Sequence, residues 1–514
     1  MGSIFHFPFD VVISPLLLLI LIPIFMLPVL WVTSFFHLRV FAFSGILVQF
    51  IFTLFLAPSV LNQSEGDYHS YFTLPLVQRQ FFNISYEGAV DGISYFFIVL
   101  VPFLILLCIG SLINKTHSNY RERELFILLY LMDFILLNVF ATLDFFLFFF
   151  FLEASVPPMF LLIGIWGART RRVASAYIYY FFSMVASLTM AVAILYIYWN
   201  AGSASIFILY EHRFFGFDIF SIEAELVLWF AIFFSLAVKM PVFPFHIWLP
   251  EAHGEASTVG SVILAGLYLK MAGYGLLRFL VPTFPSASDF FKPLVYTISL
   301  AGVYYCSMTL LRQIDLKKFI AYSSVVHMNL STIGLFSFSP MAIAGSLFSM
   351  IAHSFIASLL FFSVGILYDR FHTRIIAYYS DLVERLPLFS IIFFCGLGAN
   401  SSFPLTVGFI AEALMLFGIA EDNFIIALIA AFGVGVTAIA HFFLINKLVY
   451  SDKKFSINYQ YNSSVNIDIT WIELLYVVPL LFAIIGFVFC SDLIVNIIEP
   501  SIQHLVMIRD GRIK

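Results

Sequence analysis

Charge is scarce in this chain. Only 11% of its 514 residues are Asp, Glu, Lys or Arg, 62% are hydrophobic, and mean hydropathy is +1.02. No soluble domain has that composition, so soluble catalytic folds and nucleic-acid binding modules are excluded. Cysteine is scarce too: Cys108, Cys306, Cys395 and Cys490 stand singly in apolar segments. Without a CxxC or any clustered spacing there is no disulfide framework, iron–sulfur cluster or zinc site to expect, and all four are read as packing residues. No glycine-rich nucleotide-binding turn or flavin site appears. The N-terminus has neither a basic region ahead of a cleavable apolar stretch nor an Arg- and Ser-rich amphipathic helix. The first spanning helix is expected to act as its own insertion signal.

What the chain does have is long apolar runs. Runs of 18 or more residues span a bilayer as helices, and continuous apolarity argues against the alternation of a barrel. The expected fold is therefore an all-α polytopic membrane protein in a lipid bilayer. Fourteen segments qualify, at about 11–30, 39–58, 90–112, 124–141, 143–165, 174–198, 223–248, 258–279, 290–311, 316–336, 341–367, 386–418, 423–446 and 472–498. The polar connections 59–89 and 447–471 read as surface loops. Sixty-five phenylalanines are far above ordinary usage, as an A+T-rich organelle gene would produce.

Basic residues mark the orientation. Sixteen of the 25 Lys and Arg fall in the odd-numbered loops and six on the opposite face, which places both termini on the positive-poor side. Only the basic tail pulls the other way. Two segments are interrupted at membrane depth. The seventh holds Pro241 and Pro244, which remove helix hydrogen bonds, and the twelfth holds Gly396, Gly398, Asn400 and Pro404. The breaks lie five segments apart, so helices 4–8 (124–280) and 9–13 (290–446) would be two inverted repeats, with 472–514 as a C-terminal helix and tail. Broken helices at matching positions point to a transport site.

Ionisable residues lie deep in these segments: Asp133, Asp144, Glu153, Lys239, Lys270, His327, His353 and Glu412. A lysine at the bilayer centre costs roughly 2.5–3.5 kcal/mol on insertion scales. One such residue reads as a polar tie between helices. Eight spread over seven segments read as a charge pathway, although Asp144 is near enough to a helix start to be interfacial. Glu153 lies about 15 Å into its helix at 1.5 Å per residue, and Pro157 and Pro158 free carbonyls just beyond it. Opposite charges about 4 Å apart attract by roughly 4 kcal/mol at an effective dielectric of 20. That is enough to decide whether a desolvated lysine holds its proton. His246 and His253, at the first break, are either proton entry or exit groups or turn residues beside a Ser257 or Thr258 cap, with structure favoured. Their spacing matches no metal signature.

The runs VKMPVFPFHIWLPEAHGEAS, LAGLYLKMAGYGLLRF, DLKKFIAYSSVVHM, FLEASVPPMFLLIGIWG, MIAHSFIASLLFFSVGILYDR and FIAEALMLFG resemble the antiporter-like, proton-translocating membrane subunits of respiratory complex I, NADH:ubiquinone oxidoreductase. The resemblance covers about residues 85–450 and is nearest to the chain 4 branch. Glu412 stands where related branches carry a lysine, and no long lateral helix follows the fourteenth segment. The resemblance implies a hydrated proton path along the membrane midplane through Glu153, Lys239, Lys270, His327, His353 and Glu412; Asp133, Asp144, His246 and His253 are accessory candidates by their placement alone. It implies that NADH, flavin, iron–sulfur clusters and ubiquinone act in partner subunits, that related antiporter-like chains are neighbours, and that the protein lies in the mitochondrial inner membrane or, alternatively, a bacterial plasma membrane. Departures from the family pattern are Asp133, Glu251, Ser257, Asn329 and the stretch Leu405 to Gly408. Rival readings are a stand-alone cation/proton antiporter subunit, a subunit of a membrane-bound hydrogenase-type complex, and a structural scaffold.

Overall fold

In the computed structural model, the described residues are 14–61, 68–79, 82–113, 121–214, 220–379, 381–449 and 468–510. Lys115, Lys453, Lys454, Arg512 and Lys514, counted above for orientation, fall outside them. Each apolar run becomes a helix. Among the described residues eleven helices are long and apolar enough to cross a membrane. The other expected segments fall on helices Ile222–Lys239 and Leu316–Leu335 and on the pair Pro387–Asn400 and Val407–Asp422. Ile222–Lys239 carries three charged residues, Glu223, Glu225 and Lys239, and the two halves of the broken pair are only 14 and 16 residues long. Helices Thr258–Thr283 and Pro340–Phe371 form the centre, each with its most apolar stretch wholly buried, whereas Pro15–Val32 and Trp471–Phe489 are peripheral. Phenylalanine fills the interior by stacking. The Trp229 ring lies between Phe233 and Phe291, with centroids 4.7 and 4.6 Å away.

Three features depart from the sequence reading. The connection 59–89 contains a β-hairpin, strand His69–Arg79 paired antiparallel with Phe82–Val90. Its Tyr, Thr and Val residues suit a pleated surface, and Phe72 meets Tyr86 edge to face across the strands. Glu87 docks the hairpin on the bundle, its backbone carbonyl accepting from Leu143 N–H and its carboxylate from the Ser205 hydroxyl. The fourteenth segment stops at Phe489. After Cys490 a second, amphipathic helix, Ser491–Arg509, turns back onto the bundle. Its Arg509 pairs with Asp289 and stacks on Phe338, so this part of the basic tail is neutralised locally. Cys490 is exposed at that corner, unlike the buried Cys108 and Cys306. Finally, helix Thr258–Thr283 is not a plain α-helix: π-helical turns at Leu264–Tyr268 and Leu276–Leu280 flank Lys270.

Both expected helix breaks are present. Helix Ile222–Lys239 ends where Pro241 has no N–H to give Ala237, and Val242 N–H takes that carbonyl instead. The Val238 carbonyl then accepts from the Trp248 indole at 2.8 Å. Asn329 closes the rest, donating to the Pro241 carbonyl and accepting from Phe243 N–H. The polar departure from the family pattern is thus a clamp on the broken backbone. The second break, residues 401–406, holds Ser402 and Leu405 at φ of 56° and 70°, a region bulky residues rarely enter.

Candidate functional site

Lys239 is the last residue of its half-helix, so its ammonium lies at the negative end of the helix dipole. It forms an ion pair with Glu153, whose helix kinks at Ser155 just ahead of the two prolines. Lys239 is 1% exposed and the Glu153 side chain 17%. Glu153 Oε2 has no protein partner.

A second group is built by four other elements. Lys270 donates to the Ala265 carbonyl within the widened π-turn and meets His353 Nδ1 at 2.8 Å. The His353 and His327 rings are 5.6 Å apart, centre to centre. His327 Nε2 lies 3.1 Å from the Asn400 backbone carbonyl, and Nδ1 lies 2.9 Å from Glu412 Oε1. The carbonyl can only accept, so Nε2 carries hydrogen. Two lone pairs would then face each other between Nδ1 and Glu412 unless a further proton lies there. The His327–Glu412 pair therefore shares a proton, held on the imidazole or on the carboxyl.

Beside this pair is a cavity of about 10 Å³, the room one water needs. His353 Nε2, Glu412 Oε2 and Ser402 Oγ belong to residues lining it and have no protein partner. With Nδ1 accepting from Lys270, His353 Nε2 is a donor and Glu412 Oε2 an acceptor on the same cavity. Between the two groups, Met240 and Met350 pack around Gly273. The Thr332 hydroxyl reaches Met240 Sδ at 3.6 Å.

The accessory residues divide. Asp144 caps helix Phe145–Ala154, accepting from Leu147 N–H at 3.0 Å. Asp133 accepts from Gln49 at 2.6 Å, away from the six path residues. His246 stacks on Phe243 beside the first break. His253 lies against Phe361 with both ring nitrogens unpartnered, and Ser257 is the expected cap, accepting from Gly260 N–H. The sequence reading missed Asn400, whose carbonyl meets His327, and His441, a second imidazole beside Asn400. Asn400 was read only as a helix breaker, and His441 has no motif around it. Among the described residues no cluster of three His, Cys, Asp or Glu could hold a metal ion.

Residues 142–439 match the family described as NADH:quinone oxidoreductase/Mrp antiporter, TM. The chain is 42% identical over 407 residues to NADH-ubiquinone oxidoreductase chain 4 of Chondrus crispus, covering 79% of this chain and 80% of that one. It is 41% identical over 424 residues to the chain 4 of Arabidopsis thaliana, covering 82% and 83%. The chain belongs to the NADH-ubiquinone oxidoreductase chain 4 family. As a chain 4 family member it is a membrane subunit of that oxidoreductase, working beside other membrane subunits. The fold agrees: a chain of respiratory complex I from Thermus thermophilus superposes with a TM-score of 0.84 at 23% identity, covering 96% of this chain and 99% of that one. A chain of the Mrp complex from Dietzia gives 0.83 at 18%, covering 97% and 99%. All six path residues lie within the family match; Asp133 and His441 lie outside it.

Proposed function

We propose that this chain 4 subunit moves protons along the membrane midplane through Glu153, Lys239, Lys270, His353, His327 and Glu412. Redox chemistry in partner subunits drives that movement. The observation that carries the reading is the 2.9 Å contact of His327 Nδ1 with Glu412 Oε1, reached from Lys270 through His353. A structural ion pair needs one acid and one base. Here four titratable groups from four helices stand in succession, and two of them face a cavity with unpartnered polar atoms. A buried polar atom left unpaired costs about 1–3 kcal/mol, a cost that a proton path recovers when water enters it. Glu153 and Lys239 form the switching pair, with Met240 and Met350 packed between them and the relay.

On this reading NADH, flavin, iron–sulfur clusters and ubiquinone belong to partner subunits, and related antiporter-like chains adjoin this one. The protein is a multi-pass component of the mitochondrial inner membrane with its basic loops facing the matrix. Residues 124–280 and 290–446 act as two inverted repeats, each contributing one broken helix. The rival readings share this fold, as the Mrp chain above does. Sodium-dependent proton flux from the chain without partners would favour the antiporter.

The test is the assembled complex carrying Lys239→Ala or Glu153→Ala, reconstituted in vesicles. Both variants are expected to assemble and to lose most of their coupled NADH oxidation. A normal proton-to-electron ratio in either would end the reading in favour of a scaffold.

A further inference from the structure

His441 is fully buried on helix Phe424–Val449, and the pathway above does not use it. Its Nδ1 lies 2.7 Å from the Thr437 carbonyl, which can only accept, so Nδ1 carries hydrogen. Nε2 is then a lone pair, and it accepts from the Asn400 amide Nδ2 at 2.6 Å. The same Nδ2 donates to Ser323 Oγ at 2.9 Å. The backbone carbonyl of Asn400 is the group that holds His327. One residue, the last of a half-helix, thus grips an imidazole of the relay with its main chain and a second imidazole with its side chain.

We propose that His441 is a further proton-accepting group of this subunit, on the basic-face side of the second break and coupled to the His327–Glu412 pair through Asn400. The proposal rests on the proton-path reading given above. Depth supports the placement. Helix Leu316–Leu335 starts at the basic face, with Ser323 about 10 Å and His327 about 17 Å along it at 1.5 Å per residue. His441 is about 12 Å from the basic end of its own helix by the same rise. The Ser323–His441 layer therefore lies between the relay and the basic face.

The coupling follows from donor and acceptor counts. A proton from water on the basic face forms an N–H bond at His441 Nε2, and the water side loses that proton; no other covalent bond changes. The new N–H then faces the Asn400 N–H. The amide must turn so that Oδ1 accepts, which releases Ser323; the Ser323 hydroxyl keeps its bond to the Ile320 carbonyl. The titratable group facing His441 is His327, from the neighbouring helix. A positive charge on His441 favours the arrangement in which the shared proton of the His327–Glu412 pair sits on Glu412. His441 thereby loads one side while the acid is filled on the other.

The experiment compares His441→Gln and Lys239→Ala in the assembled, reconstituted complex. Glutamine keeps a polar partner for Asn400 but cannot hold a proton. Coupled turnover is expected to fall several-fold in His441→Gln with assembly unchanged. Normal pumping in His441→Gln, with turnover lost in Lys239→Ala, would make His441 a structural residue and leave the path intact. Normal pumping in Lys239→Ala would remove the path and the proposal together. Hydrogen exchange at the imidazole C2 of His441 in the native complex, followed across pH, should show a titration. No exchange at any pH would overturn the proposal whatever the variants do.

Discussion

Gly302 shows how a single residue can govern the first break. A Cβ there would stand 2.5 Å from Asn329 Oδ1, the atom that accepts from Phe243 N–H. Gly302→Ala is therefore expected to push Asn329 off the broken backbone and leave buried polar groups unpaired, at about 1–3 kcal/mol each. Coupled NADH oxidation should fall while the complex still forms on a native gel. The double variant Gly302→Ala/Asn329→Ala should not recover it, because the clamp is absent in both. If the double variant is more active than the single one, the clash matters and the clamp does not. Neither residue belongs to a recognisable motif. Asn329 was visible in the sequence as an oddity, but its role depends on a contact with Pro241 on another helix.

At the scale of elements, terminal contacts hold the hairpin, the central helix Thr258–Thr283 and the C-terminal helix together. Asp91 caps helix Gly92–Leu112 and pairs with Arg278 on Thr258–Thr283; both side chains are 2% exposed. Arg278 also donates to the Tyr68 hydroxyl at 3.0 Å. Arg278→Leu would leave a buried carboxylate without its cation, a loss of about 3–5 kcal/mol for such pairs. Reduced assembly on native gels is the expected outcome, partly restored by adding Asp91→Asn. Gly92 tests the adjoining contact. A Cβ at that position would lie 2.0 Å from the Ile497 carbonyl, and backbone cannot yield. Gly92→Ala should displace helix Ser491–Arg509, which limited proteolysis of the C-terminal region would detect. Undiminished protection of that region would show that the helix is held elsewhere, for example by Arg509 and Asp289.

For the whole molecule, the arrangement is a polar line through an apolar bundle. The most enclosed helices, Thr258–Thr283 and Pro340–Phe371, carry Lys270 and His353, so these two groups meet in the interior of the bundle. The line needs neighbours at its ends, and the subunit is expected to work only in company. In mild-detergent membranes this chain should migrate with a very large, NADH-oxidising assembly on a native gel. Migration in a small inactive assembly would instead favour the antiporter reading, and ion-flux measurements would follow.

The sequence by itself determined the features whose physics is local. Apolar runs must become helices in a bilayer, so helix Phe424–Val449 was expected at 423–446. Single prolines such as Pro102 and Pro293 are carried inside helices, but two prolines three residues apart, at Pro241 and Pro244, and a proline following Gly396, Gly398 and Asn400, at Pro404, made both breaks legible. Buried charges are costly, so Glu153, Lys239, Lys270, His327, His353 and Glu412 stood out by placement alone. Pairing was another matter. Lys270 meets His353 across 83 residues, Glu153 meets Lys239 across 86, and Asn400 reaches His441 across 41, none at a spacing that one helix could reveal. The hairpin and the returning C-terminal helix were lost for the same reason: their short, mixed patterns gain stability only by docking on the bundle. Only the tertiary structure decided which buried groups touch, because hydrogen bonding acts over about 3 Å and only packing brings distant helices that close.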